Sequence, residues 1–432
     1  MSELESVVTA IPGPRSRALA AELARYEAPG VTYLAGDYPV FWERASGASV
    51  VDVDGNRYLD LTSAFGVAAT GHTNPRVAAA IADQASRLIH GMGDVHPTEV
   101  RTQLLERLAA LAPGALCKTY LATSGAEAIE FALKTALLAS GQPHAIAYRG
   151  AYHGLSLGAL EVGGIDKFRA PFAALVAGHA TFLAYPGARD TVESAVDALR
   201  DALARDPQVG AVIVEPVQGR GGVIVPPAGF LRALRAVCDE RELVLILDEI
   251  YTGFGRTGAT FACEHEAIVP DLLCVGKALA GGVPLAATIG TARVMDAWPV
   301  SAGEALHTST FLGNPLACAA ALANLDELVR LDVVAQVRSR AAALAERLHA
   351  LAAAPSVSDV RGIGFLWAVE FDRAEVANRV VVRGLARGVI LLQSGPTGTS
   401  ITIAPPLTIE DEQLDRALAL FEQTIRETEG SW

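Results

Sequence analysis

Apolar and polar positions along the middle of the chain fall into two alternating patterns. Short, nearly continuous apolar runs cover residues 118–123, 145–149, 209–215, 243–250 and 271–275. Each gives way to glycine or acidic residues. Stretches with helical periodicity separate them, for example 126–140 and 229–241. Strands this apolar suit burial on both faces, so the pattern predicts a parallel α/β sheet covered by helices. Ligands of open α/β sheets bind outside the carboxyl ends of the strands. The residues just after each run are therefore where chemistry is expected.

The two ends of the chain read differently. Asp54-Gly55-Asn56 forms a hairpin signal between apolar runs. After about residue 328 the pattern predicts a long Ala/Leu helix, which takes in the alanine-rich stretch 341–354. Short apolar runs follow at 364–371, 389–393 and 401–404, then a last helix. The expected organisation is a large central domain, residues 62–327, and a smaller α+β domain made from both ends, residues 1–61 and 328–432. There is no internal repeat and no low-complexity tract.

Composition narrows the class. With 432 residues, 51% hydrophobic and 19% charged, the chain has the length of two or three domains and is too apolar for disorder. A net charge of −13 repels phosphate backbones, so nucleic acid is not expected as a general partner. The cysteines, Cys117, Cys238, Cys263, Cys274 and Cys318, form no CxxC pair and no disulfide framework. The amino terminus carries early acids and no apolar core of a signal peptide. The uncharged stretch 388–409 contains Pro396, Pro405 and Pro406, which argues against a membrane helix. A cytoplasmic protein with no membrane partner is expected.

The strand ends carry the candidate chemistry. Ser124-Gly125-Ala126-Glu127 opens a helix, where free N–H groups and the helix dipole suit a phosphate. The same residues also read as an ordinary capping box. Tyr152 and His153 lie between Gly150 and Gly154. The tyrosine can stack on a flat ring or pack on the core, and the histidine can act as acid or base or be structural. Asp248-Glu249 ends a buried run, where a carboxylate needs a cationic or donor partner. Residues 253–258 match G-x-G-x-x-G. However, the glycines do not start at the strand end and no helix follows, so a dinucleotide site is disfavoured. Lys277 ends another apolar run, a setting in which lysine loses its charge and attacks carbonyls. Cys263, His265 and Glu266 do not have a zinc spacing and read as structural, so no metal site is expected.

Together these residues supply a phosphate cup, a stacking ring, a buried carboxylate and a lysine at neighbouring strand ends. Those are the parts needed to hold pyridoxal phosphate. The runs LVLILDEIYTGFGRTG, VGKALAGGVPLAA and HTSTFLGNPLACAAA, with Glu215-Pro216-Val217-Gln218-Gly219, resemble the class III pyridoxal-phosphate aminotransferases. The resemblance extends from VVDVDGNRYLDL to IAPPLTI.

It implies a fold type I homodimer with active sites shared between subunits. It also implies that an amino donor and a keto acid are the small-molecule partners. By position, Lys277 becomes the Schiff-base lysine and proton shuttle, and Asp248 the partner of the pyridine nitrogen. Ser124, Gly125 and Ala126 match the phosphate cup, and Thr310 matches a threonine that reaches the phosphate of the neighbouring subunit. Tyr152 and Ile250 match the residues on the two ring faces, with His153, Glu215 and Tyr251 also beside the cofactor.

The departures concern substrate. Many members carry glutamine where this chain has Tyr251, near the ring hydroxyl. Members acting on glutamate often carry arginine in R-x-x-P-P-L, where this chain has Thr402. That arginine usually pairs with a glutamate in Q-G-E-G-G, where this chain has Arg220. A further arginine found after H-G in some members is Leu155 here. Phe65, Arg220 and Thr402 are the candidate substrate contacts. Arg220 either binds the substrate carboxylate or pairs with a nearby acid. Two rival activities remain from the residues: a racemase or epimerase using the same cofactor, and, more remotely, an NAD-dependent dehydrogenase built on residues 253–258.

Overall fold

The computed structural model describes residues 4–35 and 38–430. The outer limits expected for the small domain, residues 1 and 432, lie outside the described residues. A seven-stranded sheet forms the centre, in the order Leu116–Ala122, Ala286–Thr291, Leu272–Val275, Val244–Asp248, Val209–Val214, His144–Tyr148, Ala180–Leu183. All but Ala286–Thr291 run the same way, and that strand is antiparallel to both neighbours.

The apolar runs are buried on both faces because alternate residues enter two separate cores. Ile246, Ile213 and Cys274 pack with Ile129 and Ala132 of the helix Gly125–Ser140. Leu245, Leu247 and Val212 pack with Leu234 and Cys238 of the helix Phe230–Glu240. Burying one such Leu or Ile side chain contributes about 1.5–3 kcal/mol. This two-sided burial explains why the runs lack alternation.

The ends of the chain meet in a second sheet. Trp42–Ser46, Ser49–Asp52 and Arg57–Asp60 form an antiparallel meander, and Val389–Ile390 pairs parallel with Arg57–Asp60. The hairpin expected at residues 54–56 is present, held by the Asp52 carboxylate accepting from the N–H groups of Asp54 and Asn56. A third sheet, in the order Val357–Ile363, Leu366–Phe371, Ser400–Ile403, Leu392–Ser394, is antiparallel throughout.

Three strands were not expected: Ala180–Leu183 at the sheet edge, Ala286–Thr291 and Val357–Ile363. The second mixes the β-branched Thr288, Ile289 and Thr291 with three small residues, Ala286, Ala287 and Gly290, so its apolar run is too short and weak to mark it. The long helix expected after residue 328 is Val333–His349, and a separate helix, Pro315–Arg330, ends just before it. Asp332 separates the two with φ +45°, and its carboxylate caps Val333–His349 through Ala335 N at 3.4 Å.

Candidate active site

The carboxyl ends of four neighbouring parallel strands open into one cavity of about 610 Å³. At its rim the chain turns from Leu116–Ala122 into the helix Gly125–Ser140. Ser124 is the N-cap, and its side chain accepts from Glu127 N at 3.2 Å. Glu127 does not close the expected capping box on Ser124 N. Its carboxylate takes the N–H and hydroxyl of Thr123, both at 2.7 Å, and the hydroxyl of Tyr120 at 2.9 Å. The turn is fixed one residue earlier, and the N–H groups of Gly125 and Ala126 stay outside the helix's own ladder. Gly154 lets the next loop approach this helix end. It has φ +116°, and a Cβ there would lie 2.5 Å from the Cβ of Ala126.

Asp248 ends the strand Val244–Asp248 and is almost fully buried. Its Oδ2 lies 2.7 Å from Nδ1 of His153, and its Oδ1 accepts from Ile250 N at 3.0 Å. Burial opposes a charge on His153, but the hydrogen bond and charge of Asp248 outweigh it and raise the imidazole above its ordinary value. Glu215 follows the strand Val209–Val214. Its two oxygens accept from Tyr152 N and Gly219 N, both at 3.1 Å. Burial, reinforced by the charge of Asp248, pushes its carboxyl up to about 7.

Lys277 follows Gly276 at the end of Leu272–Val275 and has φ +38°. The lysines are Lys118, Lys134, Lys167 and Lys277, and only Lys277 is not exposed. Burial lowers its pKa below the ordinary lysine value and the charge of Arg220 adds to this, while Asp248 and Glu215 oppose it. Its Nζ stands 4.6 Å from the centre of the Tyr251 ring. That ring is clamped. A Cβ on Gly66 would lie 2.4 Å from Tyr251 Cε2, and a Cβ on Gly219 would lie 2.3 Å from its Cδ1. The Tyr251 hydroxyl is shut off from solvent with no hydrogen-bond partner among the described residues.

The cavity brings together Ser124, Gly125, Ala126, Tyr152, His153, Glu215, Asp248, Ile250, Tyr251 and Lys277. Arg220, Phe65 and Thr402 line it too. Phe65 sits in a run of left-handed residues, Ser63, Ala64 and Phe65, and is 60% exposed. Thr310 is not brought in. It lies on an exposed loop away from this cavity. Phe168, Leu392 and Ser394 line the cavity and were not expected, since each comes from a segment without a motif. Residues 253–258 form turns, followed by the short 3-10 turn Ala262–Glu266 and by no α-helix. His265 bonds Thr257, and Glu266 accepts from Gly229 N and Arg232 N, so both are spent on loop structure.

The residues fit pyridoxal phosphate. The cavity offers free N–H groups for an anion, a buried carboxylate with a fixed orientation, and a lysine of lowered basicity. It also offers one buried phenol that lacks a partner.

Comparison with known proteins agrees. The model of the class III aminotransferases matches residues 33–425. A putrescine aminotransferase of Pectobacterium atrosepticum is 40% identical over 406 residues, which is 92% of this chain and 84% of that protein. An amine transaminase from an uncultivated Pseudomonas species, solved with pyridoxal phosphate bound, superposes with a TM-score of 0.87 at 30% identity. That match covers 93% of this chain and 98% of the other. The ornithine aminotransferase of Toxoplasma gondii ME49 gives a TM-score of 0.87 at 30% identity, covering 96% of each chain. The fold is therefore fold type I, and the chain belongs to the class III aminotransferases, enzymes that transfer an amino group with pyridoxal phosphate.

Proposed function

We propose that amino transfer takes place at Lys277, from a primary amine or amino acid to a keto acid. The observation that carries this is that the one unexposed lysine shares a cavity with the Asp248–His153 pair and the amino end of the helix Gly125–Ser140. When bound, pyridoxal phosphate supplies a carbonyl for the amine and a ring that takes up the electron pair of a breaking C–H bond.

The chain's own groups do the rest. Ser124, Gly125 and Ala126 hold the phosphate through N–H groups and a hydroxyl. Asp248, aimed by His153 and Ile250 N, would keep a proton on the ring nitrogen. Tyr152 and Ile250 would lie against the cofactor ring, and Tyr251 would offer it a buried hydroxyl that has no partner among the described residues. Glu215 braces the Tyr152 loop beside the cofactor. Lys277 moves the proton, because a lysine of lowered pKa returns to its neutral form easily. Phe65 and Thr402 form walls around the substrate.

We read Thr310 as a contact to the phosphate of a second subunit, which makes the enzyme a homodimer with shared sites. Exposed Leu88, Ile89, Met92, Val95 and Phe311 support such an interface. The small domain is read as 1–61 with 328–432, supported by the pairing of Val389–Ile390 with Arg57–Asp60. A cytoplasmic location is supported by five free cysteines. Among the described residues, no helix is long and apolar enough to cross a membrane.

Borohydride reduction of the holoenzyme followed by peptide mass spectrometry tests the central assignment. The cofactor is expected on Lys277. Cofactor on Lys118, Lys134 or Lys167 overturns it.

A further inference from the structure

Arg220 is the cation of the cavity that the chemistry above leaves unused. It follows Gly219 in the loop that leaves the strand Val209–Val214. The loop is tied on both sides. The Arg220 carbonyl accepts from Gly395 N at 3.0 Å, and Gly222 O accepts from Arg361 Nε at 2.9 Å. The guanidinium itself is fixed at one corner, where Nη1 donates to Gln393 O at 3.1 Å. A guanidinium has five N–H donors, so most remain free. Among the described residues no carboxylate pairs with it.

The acids of the same cavity are committed elsewhere. Glu215 is held by Tyr152 N and Gly219 N, and Asp248 by His153 and Ile250 N. A half-buried cation with spare donors and no acceptor is a site waiting for an anion. Its surroundings suit a carboxylate. Thr402 donates its hydroxyl proton to Ser394 Oγ at 2.7 Å, and both residues are buried and line the cavity. That bond uses the proton of Thr402 and leaves the proton of Ser394 for another acceptor. Leu392 and Phe65 supply apolar wall beside them.

We propose that Arg220, with the Ser394 hydroxyl, binds the carboxylate of the substrate, so the preferred donor is an amino acid and not a simple amine or a diamine. The inference rests on the aminotransferase reading and adds the substrate class. It also separates this chain from a diamine enzyme, because the far ammonium of a diamine would meet the charge of Arg220 in a cavity of low dielectric.

The test uses the purified holoenzyme as wild type, Arg220→Gln and Arg220→Lys. Cofactor absorbance and content matching wild type establish that each variant is folded and loaded. Single-turnover reactions with L-alanine, γ-aminobutyrate, butylamine and putrescine give apparent dissociation constants from the cofactor spectrum. In wild type at least one of the two carboxylate donors binds about tenfold or more tighter than butylamine, the scale of a charged hydrogen bond. L-alanine showing that preference places the α-carboxylate at Arg220, and γ-aminobutyrate places the distal one. Arg220→Gln removes the preference and Arg220→Lys restores part of it.

Calorimetry with butanoate needs no turnover. Arg220→Gln weakens its binding about tenfold or more. The carboxylate site is thereby tested even if no donor reacts, an outcome that would count against the transfer reading alone. A carboxylate preference unchanged in Arg220→Gln, butanoate binding equal in both proteins, or a wild-type preference for putrescine overturns the proposal.

Discussion

The Nδ1 atom of His153 lies 2.7 Å from Oδ2 of Asp248, where the strand Val244–Asp248 runs out into the cavity. The second carboxylate oxygen is held by Ile250 N at 3.0 Å. The chain therefore fixes the direction of this carboxylate with its own groups. An aimed, buried charge needs no reorganisation when a proton on a ring nitrogen must be stabilised.

Asp248→Asn keeps the shape and removes the charge. Turnover with any accepted donor is expected to fall by about 10²-fold or more, with the cofactor still attached at Lys277. Steady-state kinetics beside an absorption spectrum reads both. Turnover within about threefold of wild type would show that Asp248 does not act on the ring.

Glu215 gives a pH signature. Its carboxyl lies at about 7 in the folded protein, against an ordinary value of 4.5, because burial disfavours the charge. Between these values the folded state holds a proton that the unfolded chain has lost. Stability therefore falls as pH rises through that window. In the apoenzyme, Glu215→Gln should gain on wild type by on the order of 3 kcal/mol between pH 4.5 and pH 7. Urea titrations at both pH values, at one protein concentration, measure the gap. A gap that does not move with pH contradicts the assignment.

The clamp on Tyr251 is a packing prediction. Gly219→Ala puts a methyl 2.3 Å from Tyr251 Cδ1 and should cost about 1–3 kcal/mol by displacing the ring. The same change should cost clearly less in a Tyr251→Ala background, which a double-mutant cycle reads directly. Additive costs would mean that Gly219 serves the backbone and not the ring.

The site was legible wherever chemistry sits at the end of a buried strand. Asp248 and Lys277 each close an apolar run, and Ser124 opens a helix after one, so periodicity alone placed them near one another. The resemblance supplied their roles. What could not be read depends on distant segments. Gly66 and Gly219 meet across the Tyr251 ring although they are far apart in the chain. The left-handed run at Ser63, Ala64 and Phe65 has no glycine before Gly66 to announce it. Asp60 holds it through Ala64 N, and the Ala404 carbonyl holds it through the Ser63 hydroxyl. Ser394 comes from a short edge strand, and that strand's pairing with Ser400–Ile403 and its own bond to Thr402 bring it to the cavity. The strand Ala286–Thr291 escaped for a different reason. Ala286, Ala287 and Gly290 dilute the β signal of Thr288, Ile289 and Thr291, and its place is set by pairing with Leu116–Ala122 and Leu272–Val275.

The half-reaction tests the account most directly. Holoenzyme is mixed with a single amino donor and no keto acid, and the cofactor spectrum is followed. Loss of the yellow absorbance, with one equivalent of carbonyl product and recovery of the colour on adding a keto acid, is the predicted result. An unchanged spectrum while the donor's α-hydrogen exchanges with deuterated solvent would contradict it, since the proton would then return to the same carbon and no amino group would move.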